Sequence, residues 1–250
     1  MKYIVESTAP AILPPKVINI AQYKEPVKKA SIPPQPLIEE EIIQAITFLA
    51  TKPNRFKGCN ISQRNYTMFL LNINIGLRCG DLLGLKISDV MADGKIKDSI
   101  VIAEGKTDKV REMFLYEEVK QALYLYITSM EGWQYDWYLF HVLFPRQTPY
   151  RTMSRKNVEC TIMKSIQTEL KLNVPINTHS MRKTWARFKY DELLEKGDYI
   201  GLQQLQDALG HSSERITRRY IGLQREDMRK LYTSKMVGQF VPDVYSNDEY

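Results

Sequence analysis

The chain has 250 residues, 44% of them hydrophobic, and carries 35 Lys and Arg against 29 Asp and Glu for a formal net charge of +6. That is enough apolar material for one substantial core plus appendages, with a balance that leans toward a polyanionic partner. No apolar run approaches the ~20 residues of a membrane span, and Met1-Lys2-Tyr3 leads into prolines rather than an apolar signal core, so the sequence predicts neither a membrane-spanning nor a secreted chain. Cys59, Cys79 and Cys160 are an odd number at spacings that suit neither a disulfide framework nor a zinc site, which predicts a reduced, cytoplasmic setting.

Residues 1–36 hold seven of the twelve prolines and several lysines, a composition that opposes long helices and predicts an extended basic arm. Folded structure is predicted from Leu37, where Leu37, Ile38, Ile42, Ile46 and Leu49 recur at helical spacing and Glu39, Glu40 and Glu41 crowd the first turn, the end where a helix dipole favours acids. A second helical pattern runs from Ser62 to Ile73 and stops at Gly76; a short helix follows over Asp81 to Lys86. Ser99 to Ala103 and Val110 to Leu115 are apolar, partly β-branched runs joined by a polar hexapeptide, which predicts a hairpin with Lys106 on its turn. Helical patterns return at Glu117 to Met130, Ser154 to Leu172, His179 to Glu195, Tyr199 to Leu209, Ser213 to Tyr220 and Arg225 to Lys235. The fold class expected is therefore mainly α with a small antiparallel β-sheet. Three segments are expected: the arm at 1–36, a folded domain at 37–222, and a tail at 223–250.

Residues 151–190 carry nine basic and two acidic residues, a local excess of 9 − 2 = +7 that fits either two solvated helix faces or a nucleic-acid surface. Four short stretches hold the reactive groups: Gly76-Leu77-Arg78-Cys79-Gly80-Asp81, Gly105-Lys106-Thr107, His179-Ser180-Met181-Arg182, and Leu209-Gly210-His211 followed nine residues later by Tyr220. Alone, each has an ordinary structural explanation. A His three residues before an Arg shares a helix face and can be a simple hydrogen-bonded pair.

As an ordered set they resemble the tyrosine recombinase family, which includes phage integrases, and the resemblance spans about residues 37 to 236. The family pattern is an Arg in Gly-Leu-Arg-x-x-Glu/Asp, a Lys in a β-hairpin, His-x-x-Arg, then Leu-Gly-His and a Tyr about nine residues on. Departures are Asp81 for the commoner Glu, Met181 for Leu, and Lys183 where a second His is frequent. Members usually carry a separate helical clamping domain before the catalytic part. Only about 36 residues precede the first predicted helix here, so that domain is expected to be missing.

The resemblance implies a site-specific recombinase that cleaves and rejoins DNA through a 3′-phosphotyrosine, and elementary chemistry agrees. Attack on a phosphodiester needs a nucleophile, a clamp for the pentavalent phosphate and an acid for the leaving 5′ oxygen. Tyr220 is the candidate nucleophile. Arg78 and Arg182 suit the clamp, because a guanidinium stays charged and forks onto two oxygens. His211 adds a donor, His179 is the candidate base, Lys106 the candidate acid, and Asp81 is expected to hold Arg78. Because the cations take a metal's place, neither metal nor other cofactor is expected, and a phosphotyrosine bond conserves energy, so no ATP is needed.

Candidate DNA contacts are Arg151, Arg155, Lys156 and Lys183 in the basic stretch and Arg218 and Arg219 beside Tyr220. The expected partner is double-stranded DNA with paired target sites, bound by a homotetramer that is monomeric without DNA and joined by the 223–250 tail docking in trans. A type IB topoisomerase would use similar groups as a monomer, and a non-catalytic DNA-binding protein of the same fold is a further alternative.

Overall fold

The computed structural model describes residues 33–53, 60–103, 105, 110–143, 148–198 and 200–223, all of them in the unit that begins at Pro33. Helix α1, Glu39–Thr51, opens with its three glutamates in the first turn, and Glu41 Oε2 accepts the Ile38 amide at 3.0 Å, satisfying one of the donors a helix start leaves open. Ile38 was expected on the core face; it is 62% exposed, because it precedes the first helical turn while Leu37 beside it is buried.

Helix α2, Ile61–Ile75, is the central element, flanked by α1, by α5 (Glu117–Thr128) and by α8 (Thr178–Glu195). Met68, Phe69 and Leu71 on it are fully buried, each contributing about 1.5–3 kcal/mol by leaving water. It ends where the sequence predicts, at Gly76, whose φ of 64° is left-handed. A side chain here would also collide with the neighbouring helix, since a Cβ would lie 2.3 Å from the Trp185 ring. Glycine is needed on both counts.

The short helix expected over Asp81 to Lys86 is two pieces, α3 at Cys79–Gly84 and α4 at Ile87–Val90. The small antiparallel β structure expected is present, among the described residues, as three two-stranded sheets. They are β1 (Met91–Ala92) with β2 (Lys95–Ile96), β3 (Ser99–Ala103) with β4 (Val110–Phe114), and β5 (His141–Val142) with β6 (Thr148–Thr152). The β3–β4 hairpin is the predicted one, in register from Ser99↔Phe114 to Ala103↔Val110.

The segment expected as one helix from Ser154 to Leu172 is α6 (Arg155–Val158), a π-turn at Glu159–Met163, and α7 (Lys164–Glu169). The described residues close with α9 (Gly201–Leu209) and α10 (Glu214–Tyr220). The predicted Arg225 to Lys235 helix and most of the arm and tail lie outside the described residues. Of the arm, residues 33–36 rest on the body: Gln35 N donates to Pro175 O at 3.2 Å, and Leu37 N follows by donating to Thr184 Oγ1 at 2.9 Å.

Two apolar clusters underlie this arrangement. The larger is built on α1 to α7, the loops between them and Met181 of α8; the smaller joins Ala186 of α8 to Leu205 and Leu209 of α9 and to Ile221 and Leu223, with Tyr220 packed against it. Gly76, Arg182 and Leu209 meet along the seam between the two.

Candidate active site

The C-terminal carbonyl of α9 organises the seam. A helix leaves its last carbonyls without intrahelical donors and its dipole makes that end negative. Here Leu209 O accepts Arg78 Nη2 at 3.3 Å and Arg182 Nη2 at 3.1 Å. Arg182, only 4% exposed, also donates from Nη1 to the Gly76 carbonyl. Two guanidiniums from positions 78 and 182 thus converge on one backbone oxygen, and Gly210 with φ 65° turns the chain directly into His211.

His211 Nδ1 is 3.0 Å from Oγ1 of the fully buried Thr217 on α10, which fixes the ring's orientation. Its ring meets that of Tyr220 edge-on, with centroids 5.1 Å apart at 70°. The Tyr220 phenol lies within hydrogen-bonding reach of Arg182; burial pushes its pKa up, while Arg182 and Arg78 pull it down. His211 is pushed below its ordinary value by burial and then by the same two arginines. His179 is exposed at the first turn of α8, behind an Asn177 cap whose Oδ1 accepts the His179 amide at 2.8 Å. Desolvation, then Arg155, Lys183 and Arg182, push its imidazole down, against Glu159. Among the described residues no hydrogen bond joins His179 to Tyr220. Cationic donors grouped round a part-buried phenol form a site for an anion that the phenol can reach.

Residues 37–227 match the model of the phage integrase family. The chain belongs to this family. It is 30% identical over 175 residues to the probable integrase/recombinase YoeC of Bacillus subtilis, covering 69% of this chain and 85% of that one. Against the tyrosine recombinase XerD of Staphylococcus epidermidis it is 28% identical over 193 residues, 77% of this chain and 60% of that one. Among solved structures, the XerH site-specific recombinase bound to its difH substrate aligns with a TM-score of 0.56 at 22% identity, over 75% of this chain and 50% of that one. The XerA recombinase aligns at 0.56 and 24%, over 81% and 64%. The chain therefore spans most of the Bacillus protein but only about half to two thirds of the others.

The remaining predicted positions of this phage integrase family member fall into place unevenly. Lys106 lies outside the described residues; the hairpin that carries it is described on both sides. Asp81, expected beside Arg78, has Oδ1 turned to that hairpin, accepting the Gly105 amide at 3.3 Å, while its Oδ2 is buried without a hydrogen-bond partner among the described residues. Arg151, Arg155, Lys156 and Arg219 are exposed. Arg155 comes close enough to act on both His179 and the buried Cys79 thiol. Arg218 is half-buried and pairs with Glu214 at 3.4 Å. Lys183 is half-buried and donates to Pro34 O at 2.7 Å.

Several supports were not foreseen. Glu159, held in the π-turn, accepts the Thr178 amide at 3.1 Å and caps the helix that carries His179 and Arg182. Trp185 wedges under Gly76, with Arg111 of the hairpin 6.0 Å from its ring centroid. The Leu209 carbonyl and Thr217 act through contacts that no local pattern marks, although both sit in or near the Leu-Gly-His to Tyr stretch. Among the described residues no three His, Cys, Asp or Glu side chains group as a metal site requires, and no helix is long and apolar enough to cross a membrane.

Proposed function

We propose that this phage integrase family chain is the catalytic part of a site-specific DNA recombinase, with Tyr220 as nucleophile. The observation that carries the reading is the gathering of Arg78, Arg182 and His211 about the Tyr220 phenol through the shared Leu209 carbonyl. The phenolic oxygen attacks the scissile phosphorus, forming a Tyr–O–P bond as the P–O5′ bond breaks. Its proton passes to His179, whose imidazole is pushed toward the neutral, proton-accepting form by burial and by Arg155, Lys183 and Arg182. Lys106 returns a proton to the departing 5′ oxygen. Arg78, Arg182 and His211 stabilise the negative charge on the nonbridging oxygens, and reversal by a new 5′ hydroxyl reseals the strand without ATP.

Arg151, Arg155, Lys156 and Arg219 supply phosphate contacts around this centre, with Arg218 beside Tyr220. Paired duplex sites are held by four copies, joined through residues 223–250. The test is a nicked suicide substrate, from which the cleaved segment diffuses away so that the covalent adduct accumulates. Tyr220→Phe removes one oxygen, and the expected result is no adduct with DNA affinity retained. Adduct formation by Tyr220→Phe would move the nucleophile to another tyrosine.

A further inference from the structure

Lys183 follows Arg182 on α8 but serves a different direction. Its ammonium is half-buried, donates to the Pro34 carbonyl at 2.7 Å, and lies 5.3 Å from the centroid of the Tyr220 ring. Burial lowers its pKa, so the ammonium has given up part of its hydration, the condition under which a cation over an aromatic face interacts most strongly. An electron-rich face attracts a cation more strongly still as the phenol loses its proton. We infer that Lys183 is a positioning residue for the Tyr220 nucleophile: tethered by the Pro34 carbonyl, its ammonium orients the Tyr220 ring and favours development of phenolate character during attack. This rests on Tyr220 being the nucleophile. It also changes the reading of the residue, since a lysine in the basic 151–190 stretch was expected to contact DNA.

Among the described residues, the charged or titratable groups facing Tyr220 are Arg182 and Lys183 from α8, Arg78 from the start of α3 and His211 just after α9. The tether explains why the cation stays on the ring. Pro34 is fixed to the body by its neighbours, through the Gln35 amide on Pro175 O and the Leu37 amide on Thr184 Oγ1. Thr184 is the next residue along the helix from Lys183, so Pro34 and the ammonium are held by the same turn of α8.

Three variants of the full chain separate the possibilities. Lys183→Gln keeps a donor for the Pro34 carbonyl and removes the charge; Lys183→Met removes both; Lys183→Arg keeps both. Single-turnover cleavage of the suicide substrate at saturating protein is measured from pH 6 upward, with DNA affinity and thermal melting measured alongside. Lys183→Gln is expected to fold as wild type, to bind DNA with unchanged affinity and to cleave about 2- to 30-fold more slowly, the range a cation on an aromatic face supplies. The part of its rate profile that follows phenol ionisation should shift to higher pH. Because the wild-type advantage requires charged Lys183, it should shrink as pH rises through the lysine's lowered pKa. Lys183→Arg should stay near wild type, and Lys183→Met should be at least as slow as Lys183→Gln. A Lys183→Gln rate and pH profile equal to wild type would overturn the inference. So would an unchanged saturated rate with weakened DNA binding, the signature of a phosphate contact. Tyr220→Phe runs in the same assay: adduct from that variant would refute the nucleophile assignment, whereas its absence beside an unaffected Lys183→Gln refutes only the role of Lys183.

Discussion

Arg182→Ala tests the seam most directly, because this side chain is asked to do two separable things. In the folded protein it satisfies the Gly76 carbonyl and, together with Arg78, the Leu209 carbonyl. Leu209 O keeps Arg78 when Arg182 is gone; Gly76 O loses its partner. Leaving one buried polar group unsatisfied costs about 1–3 kcal/mol, and at roughly 2–4 °C per kcal/mol for a domain of this size melting should fall by ~2–12 °C. In the proposed mechanism Arg182 is a preorganised donor at the developing phosphorane charge, a role worth about 2.7–4 kcal/mol or ~100- to 1,000-fold in rate. Arg182→Lys retains charge but cannot fork to carbonyl and phosphate together, so it should recover part of the stability and little of the rate. The assay is single-turnover cleavage well below the variant's melting temperature, on an ordinary phosphodiester and on a methylphosphonate at the scissile position. A neutral methylphosphonate has lost the charge that the guanidinium offsets, so the deficit of Arg182→Ala should narrow on it. Near-wild-type cleavage of the phosphodiester by folded Arg182→Ala would refute the clamp, and an equal deficit on both substrates would show that Arg182 only supports the structure.

Lys106→Ala should fail at leaving-group departure, so a substrate with sulfur at the bridging 5′ position, which leaves without much protonation, should rescue it and leave Arg182→Ala unrescued; equal rescue of both would remove the acid role. His141 is fully buried, with Nδ1 donating to Tyr138 O at 2.9 Å and Nε2 without a hydrogen-bond partner among the described residues, and burial holds its pKa below the ordinary 6.5. The unfolded chain therefore takes up the proton first, so the His141 contribution to stability is complete above about pH 6.5 and lost as pH falls from there toward the folded value. Thermal melting from pH 7.5 to 5 should show that decline, with a shallower slope in His141→Gln; an unchanged slope would contradict it. Deleting residues 224–250 should leave the described catalytic groups in place while abolishing assembly on a two-site substrate, read by sedimentation; full tetramer formation by the truncated chain would refute trans docking by the tail.

Much of the local structure was legible because it depends on neighbouring residues. Gly76 ends α2 where the apolar periodicity stops, and the polar Glu104 to Lys109 stretch separates two β-branched runs that do pair. The ordered motifs together pointed to the phage integrase family, which the match over residues 37–227 bears out, even though each motif alone is weak. Short runs were less legible. Trp137 to Phe144 is apolar in a way that helix, strand and loop share, and only its packing makes His141–Val142 a strand. Ile38 follows the helical period of α1 yet faces solvent, since periodicity marks a stripe and cannot say at which residue the first turn closes. What tertiary structure alone decided are the meetings between residues far apart in the chain: Arg78 and Arg182 on the Leu209 carbonyl, Asp81 on the Gly105 amide, Glu159 on the Thr178 amide, and Lys183 between Pro34 and Tyr220. Their partners are backbone atoms or ring faces, which every residue or every aromatic offers. The sequence therefore specifies the donors, while the packing of α8 and α9 against the end of α2 selects which acceptors they meet.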